Sequence, residues 1–237
     1  MKIALISDLH GNLPATEAVA KDIARRHVDA IYCLGDLVGK GPSSRETAEW
    51  AFAHCDIVLQ GNWDEAITSD ENPVPVVLWT KSQLGESCVK KIKALPFEHR
   101  FTFAGRRVRL IHGRPLVSDV IYSDSPAEER TALFRTGDGY APEIVGFADI
   151  HQPFYQHINP AGILFNTGSV GNPLGGQPFA SYVLLEGEMS ETLGPISHTI
   201  VQLPYDREEA IRQALACPGL PYLDAYINEL RTGQYSR

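Results

Sequence analysis

Asp8 and His10 stand two residues apart at the end of the first apolar run, in Ser7-Asp8-Leu9-His10-Gly11-Asn12. A carboxylate oxygen and an imidazole nitrogen are both competent ligands for a borderline divalent ion. Lys2 to Ile6 reads as a buried strand, and in a strand-like extension residues i and i+2 point the same way. The pair is therefore expected to aim at one point. Taken alone, an Asp-x-His is more often a loop carboxylate and a satisfied histidine.

Four further clusters change that balance. Asp36 lies in Gly35-Asp36-Leu37-Val38-Gly39-Lys40-Gly41-Pro42 and Asn62 in Gly61-Asn62-Trp63-Asp64. His112 opens His112-Gly113-Arg114-Pro115, and Asp149 and His151 fall in Ala148-Asp149-Ile150-His151-Gln152-Pro153-Phe154. Each cluster follows an apolar run, and ligands of α/β sheets collect outside the carboxyl ends of strands. The donors are oxygen and nitrogen, with no cysteine. That set suits two hard-to-borderline divalent ions better than a structural zinc.

The elements that must hold these clusters are legible in outline. Short apolar runs at 2–6, 30–34, 57–59 and 143–147 read as strands. Residues 13–26 and 43–53 read as helices, the first with Pro14 in its opening turn. Residues 70–76 break regular structure, and Val77 to Leu95 reads as one helix with Leu78, Leu84, Cys88, Ile92 and Leu95 inward. Alternation over 97–103 and 107–111 around Ala104-Gly105 reads as a hairpin. Strand pairs are expected at 154–158 with 163–166 and at 180–185 with 196–203. Residues 206–232 read as polar helix interrupted at Pro218-Gly219-Leu220-Pro221.

Bulk properties narrow the function. The chain has 237 residues, 43% of them hydrophobic, and a formal net charge of −8. Such an acidic protein offers no extended nucleic-acid surface and no affinity for anionic membranes. The four cysteines show no C-x-x-C pairing, as in a reduced, cytoplasmic protein. The first apolar run is too short for a signal peptide, and none approaches membrane-spanning length.

Five ordered motifs, Asp8-x-His10, Gly35-Asp36, Gly61-Asn62-x-Asp64, His112-Gly113 and x-x-His151, resemble those of the calcineurin-like metallophosphoesterases over about residues 1–185. Gly-Asp-Leu-Val-Gly-x-Gly-Pro, the Trp79-Thr80 helix and Asn166-x-Gly168-Ser169-Val170-Gly171 resemble the small prokaryotic phosphodiesterase branch. The resemblance implies an α/β fold: a four-layer α/β/β/α sandwich with mixed sheets and a metal site at strand ends. One domain is expected over 1–237, with a core of 1–205 and a C-terminal helical extension of 206–237. The resemblance further implies two divalent ions, manganese foremost, with iron, zinc, nickel or magnesium as alternatives. Asp8, His10 and His151 would bind the first, Asp36 would bridge, and Asn62 and His112 would bind the second. A metal-bridging hydroxide would attack phosphorus, placing Asp36 and Asn62 in the catalytic set.

Two departures from the family pattern stand out. The usual Gly-His-x-His is here Ala148-Asp149-Ile150-His151, so Asp149 is expected to replace a histidine ligand of the second metal. Trp63 stands where a histidine often contacts phosphate and protonates the leaving group, and indole has no usable proton at neutral pH. Arg114 is a candidate phosphate contact. The expected activity is a metal-dependent phosphodiesterase acting on a small phosphate ester, with self-association left open. The rival readings are a scaffold protein of the same fold and a phosphomonoesterase or dinucleotide polyphosphate hydrolase.

Overall fold

The structure is a computed structural model that describes residues 1–69, 71, 74–176 and 178–236. In chain order the elements are β1 (Lys2–Ile6), α1 (Leu13–Arg25), β2 (Ala30–Cys33), α2 (Ser44–His54), β3 (Ile57–Val58) and α3 (Asn62–Thr68). There follow α4 (Pro75–Leu84), α5 (Glu86–Lys93), β4 (Glu98–Phe103), β5 (Arg106–Ile111), α6 (Ala127–Ala132) and β6 (Ile144–Phe147). The chain ends with β7 (Phe154–Ile158), β8 (Gly162–Asn166), β9 (Ala180–Glu186), β10 (Ser197–Leu203), α7 (Arg207–Leu215) and α8 (Leu223–Thr232).

Two mixed five-stranded sheets form, ordered β10-β9-β1-β2-β3 and β4-β5-β6-β8-β7. The expected α/β sandwich is present. Side-chain alternation along β1 shows how it is held together. Ile3 and Leu5 enter a core between the sheets with Val108, Leu110 and Phe165. Ala4 and Ile6 face the other way, onto a core built with α1 to α5. The outer face of the second sheet is covered more thinly, by α6 and its flanks, with Leu133 and Phe134 against Val145, Phe147 and Leu164.

Register puts the carboxyl ends of the parallel strands side by side. Ile6 pairs with Cys33 and Cys33 with Val58, so the segments carrying Asp8, Asp36 and Asn62 start level. In the second sheet Leu110 pairs with Gly146, which brings His112 level with the 148–151 loop.

Two expectations are corrected. The helix over Val77–Leu95 is two helices, broken at Gly85, whose φ of +74° is a conformation that glycine adopts freely. The break resets the helical phase, so Val76, Val77, Thr80 and Leu84 face inward on α4 and Leu78 is 55% exposed. Asn62-Trp63-Asp64 is the first turn of α3 rather than a loop. Of the expected irregular stretch 70–76, residues 70, 72 and 73 lie outside the described residues, and Pro75 already begins α4. All four cysteines are free thiols. No helix among the described residues is long and apolar enough to cross a membrane.

Candidate metal centre

The predicted donors meet where the two sheets present their carboxyl ends. Asp8 and His10 do not converge by strand-like extension, as expected from i, i+2 geometry. Both have left-handed backbones, with φ of 53° and 45°. Asp36, Lys40, Asp149 and His151 share that conformation, with φ from 54° to 73°. Each such non-glycine residue costs about 1–3 kcal/mol and persists only where its surroundings enforce it. Backbone hydrogen bonds do so here: Asp8 N–H to Gly35 O (2.9 Å), His10 N–H to Asp36 O (3.1 Å) and Ala148 N–H to His112 O (2.8 Å). Close packing adds a second constraint, since a Cβ on Gly61 would collide with the Asp36 carboxylate.

Two donor groups result, Asp8 with His10 and His151, and Asp8 with Asp36 and His112. Asp36 Oδ2 lies 3.5 Å from both His10 Nε2 and His112 Nε2, between the two groups. Asn62 Oδ1 lies 3.1 Å from His112 Nε2. All the candidate ligands in these groups are buried, and Asn62 beside them is half-buried.

The hydrogen bonding asks for cations. The Nδ1 atoms of His10, His112 and His151 face the backbone carbonyls of Val38, Leu34 and Asn172 at 3.1, 2.9 and 2.5 Å. A carbonyl only accepts, so each Nδ1 carries a proton, and a neutral ring then presents its lone pair at Nε2. Yet His10 Nε2 and His151 Nε2 face each other at 3.1 Å, and His112 Nε2 faces the Asn62 carboxamide oxygen. Lone pairs opposed at this distance repel, and a cation between them turns the repulsion into ligation. Both Asp8 oxygens are buried and lack a well-aligned hydrogen-bond donor among the described residues, with His151 Nε2 standing 3.1 Å from Oδ1. Buried unsatisfied acceptors of this kind are rare and call for an ion or water. The residues fit divalent metals.

Electrostatics agree. Burial pushes the Asp8 carboxyl up, but His151 and His10 hold it well below the usual carboxylate range. Asp36 is likewise lowered, the pull of His112 and His10 outweighing burial. Burial draws His10 down to about 4. Burial also acts against charge on His112, but Asp36, Asp8 and Asp149 raise it to about 10.

Asp149 is placed differently from the expectation. Neither donor group contains it. Its Oδ2 and Oδ1 accept from Arg114 Nε and Nη2 at 2.8 and 2.6 Å, a bidentate ion pair that occupies both oxygens. Arg114 therefore stands at the rim, held by Asp149. Trp63 lines the same cleft, its ring against Gly39 and edge-on to His10 with centroids 5.8 Å apart.

Two supporting features went unread in the sequence. Asp64 is fully buried and accepts from the N–H groups of Asp36 (2.7 Å), Leu37 (3.0 Å) and Gly61 (3.0 Å), tying two metal loops together. Burial and the Asp36 charge push its carboxyl up to about 8. Its signal was its place in Gly61-Asn62-x-Asp64. The other is Asn172, directly after the Ser169-Val170-Gly171 stretch, whose carbonyl orients His151. The cleft over the centre has a volume of about 890 Å³, and the C-terminal residues Gly233, Gln234 and Tyr235 form part of its wall.

Comparison with known proteins agrees with this geometry. The sequence model of the calcineurin-like phosphoesterase superfamily domain matches residues 1–190. The uncharacterized protein MJ0912 of Methanocaldococcus jannaschii is 28% identical over 88% of this chain and 89% of its own length. Phosphodiesterase YfcE of Escherichia coli is 25% identical over 85% of this chain and 96% of its own. A crystal structure of a metallophosphoesterase from Sphaerobacter thermophilus superposes with a TM-score of 0.80 at 27% identity, covering 98% of this chain and all of that one.

Proposed function

We propose that this chain, which belongs to the calcineurin-like phosphoesterase superfamily in its small prokaryotic branch, is a phosphodiesterase with a binuclear metal centre. The family and the two donor groups make it a metal-dependent phosphoesterase. The opposed His10 and His151 lone pairs beside the unsatisfied Asp8 carboxylate are the observation that carries the metal reading.

In this reading Asp8, His10 and His151 would hold one ion and Asn62 and His112 the other, with Asp36 contributing to both. When bound, the two ions supply charge neutralisation at phosphorus and an activated water for in-line attack. The carbonyls of Val38, Leu34 and Asn172 keep the three imidazoles in the ligating tautomer. Asp64 keeps Asp36 and the Gly61 turn in place. Arg114, aimed by Asp149, takes a phosphate oxygen at the rim. Manganese is the proposed ion, suited by the oxygen donors of Asp8, Asp36 and Asn62 beside three imidazoles. The proposed substrate is a small phosphodiester met in the cytoplasm.

The YfcE likeness favours a diester over a monoester. The test is hydrolysis of an aryl phosphodiester, an aryl monoester and a dinucleotide polyphosphate by metal-supplemented protein, with bound metal measured on the same sample. Preferred cleavage of the diester with two ions per chain is expected. Two bound ions with no hydrolysis of any of the three would support the scaffold reading instead.

A further inference from the structure

Lys40 lines the cleft with Asp36, Asn62 and Trp63 and is only 5% exposed. A buried ammonium must be paired and hydrogen-bonded to be tolerated. Its Nζ donates to Asn172 Oδ1 at 2.7 Å. On the far side of the same carboxamide, Asn172 Nδ2 donates to Glu229 Oε2 at 3.1 Å. Glu229 lies on α8 and is fully buried, and its other oxygen accepts from Ser236 N–H at 3.1 Å. An ammonium only donates and a carboxylate only accepts, so the carboxamide has one orientation that satisfies both. The backbone of Asn172 is pinned as well: its carbonyl accepts from His151 Nδ1, and its N–H donates to Ser169 Oγ at 2.9 Å. Ser169 Oγ in turn donates to the Asp8 carbonyl at 3.0 Å.

The C-terminal helix is thus wired to the centre, and the wire ends at a cation. Lys40 follows Gly39, whose turn carries the Trp63 ring. Trp63 brings no charge to its part of the cleft wall, whereas Lys40 brings one to the same cleft.

We propose that Lys40 is a phosphate-binding residue of this site, and that Asn172 and Glu229 are positioning residues that aim its ammonium from the C-terminal helix. The inference rests on the phosphoesterase reading above. It makes the C-terminal extension part of the substrate site rather than an appendage. Gly176 N–H bonding to Gly233 O at 2.9 Å ties the same tail to the cleft rim.

The test uses the full chain loaded with manganese and inorganic phosphate as the probe, titrated by calorimetry. Metal content, KM and kcat for an aryl diester are measured on each variant. Lys40→Gln is expected to weaken phosphate binding about tenfold or more and to raise KM, with metal content unchanged. Glu229→Gln, which keeps the cation but loosens its aim, should weaken phosphate binding less. Lys40→Gln takes one positive charge out of the buried network that reaches Glu229 through Asn172. The double variant Lys40→Gln/Glu229→Gln removes that imbalance, so it should melt closer to wild type while still binding phosphate as poorly as Lys40→Gln. Wild-type affinity in the double variant would overturn the inference. So would loss of metal in that variant, because the network would then serve His151 alone. Wild-type protein that holds manganese but neither binds phosphate nor hydrolyses any ester would overturn the phosphoesterase reading itself.

Discussion

Asp149 grips Arg114 through two parallel hydrogen bonds, Nε to Oδ2 at 2.8 Å and Nη2 to Oδ1 at 2.6 Å. A carboxylate at the position of a family metal ligand thus serves a guanidinium. The consequence is a cation of fixed geometry at the rim of the cleft.

If Asp149 aims Arg114 and binds no metal, Asp149→Ala should keep wild-type metal content while KM rises about tenfold, the scale of one lost charge-assisted hydrogen bond. Metal analysis and steady-state kinetics on one preparation check this. Loss of one ion per chain would return Asp149 to the ligand set.

Asp64 satisfies three buried N–H groups at once. Asp64→Ala leaves all three unpaired, at about 1–3 kcal/mol each before any relaxation. The variant should lose several kcal/mol in denaturant unfolding, and its metal affinity should fall because Asp36 and Asn62 are no longer held in register. Asp64→Asn keeps one acceptor oxygen and should lose less. Equal loss in both variants would mean that charge, not hydrogen bonding, is what the position supplies.

Trp63 fixes the expected dependence on the leaving group. General acid catalysis is typically worth about 10²–10⁴-fold, and indole cannot supply it. Aryl diesters should be cleaved measurably and simple alkyl diesters poorly, with the rate falling steeply as leaving-group pKa rises. Trp63→His should flatten that slope. The ring packs on Gly39 and His10, so melting temperature and metal content are read first. A wild-type slope near zero, with chemistry rate-limiting, would mean that another group donates the proton.

His198 predicts an acid limit to stability. It is packed against Tyr155 and Phe165, its Nε2 has no hydrogen-bond partner, and burial, aided by Arg106 and His157, lowers its pKa from 6.5 to about 4. Between those values the unfolded chain binds the extra proton. This contribution is therefore complete above pH 6.5 and is lost as pH falls toward 4. In chelator, which removes the effect of metal release, the melting temperature of His198→Phe should fall less than that of wild type over this window. Parallel curves would remove His198 as a cause.

The sequence by itself determined the strands, the hairpins and the order of the metal loops. Apolar runs with period 2 or 3.6 and the glycines that end them are local signals. It also carried the donors themselves, because Asp8, His10, Asp36, Asn62, His112 and His151 are set by residue type within short motifs. What the tertiary structure decided is how those donors meet and what their neighbours do. Asp8 and His10 look like an extended pair, yet hydrogen bonds to another strand's loop hold both in left-handed turns, a conformation that Asp and His visit more than most L-residues but still only uncommonly. Asp149 reads as a ligand, and only the tertiary structure shows that both its oxygens accept from Arg114, 35 residues earlier. Glu229 reads as one charge on a polar helix, and only the packing of α8 buries it against Asn172, 57 residues away. Such assignments depend on which side chains share a low-dielectric space, and the sum of long-range packing fixes that space.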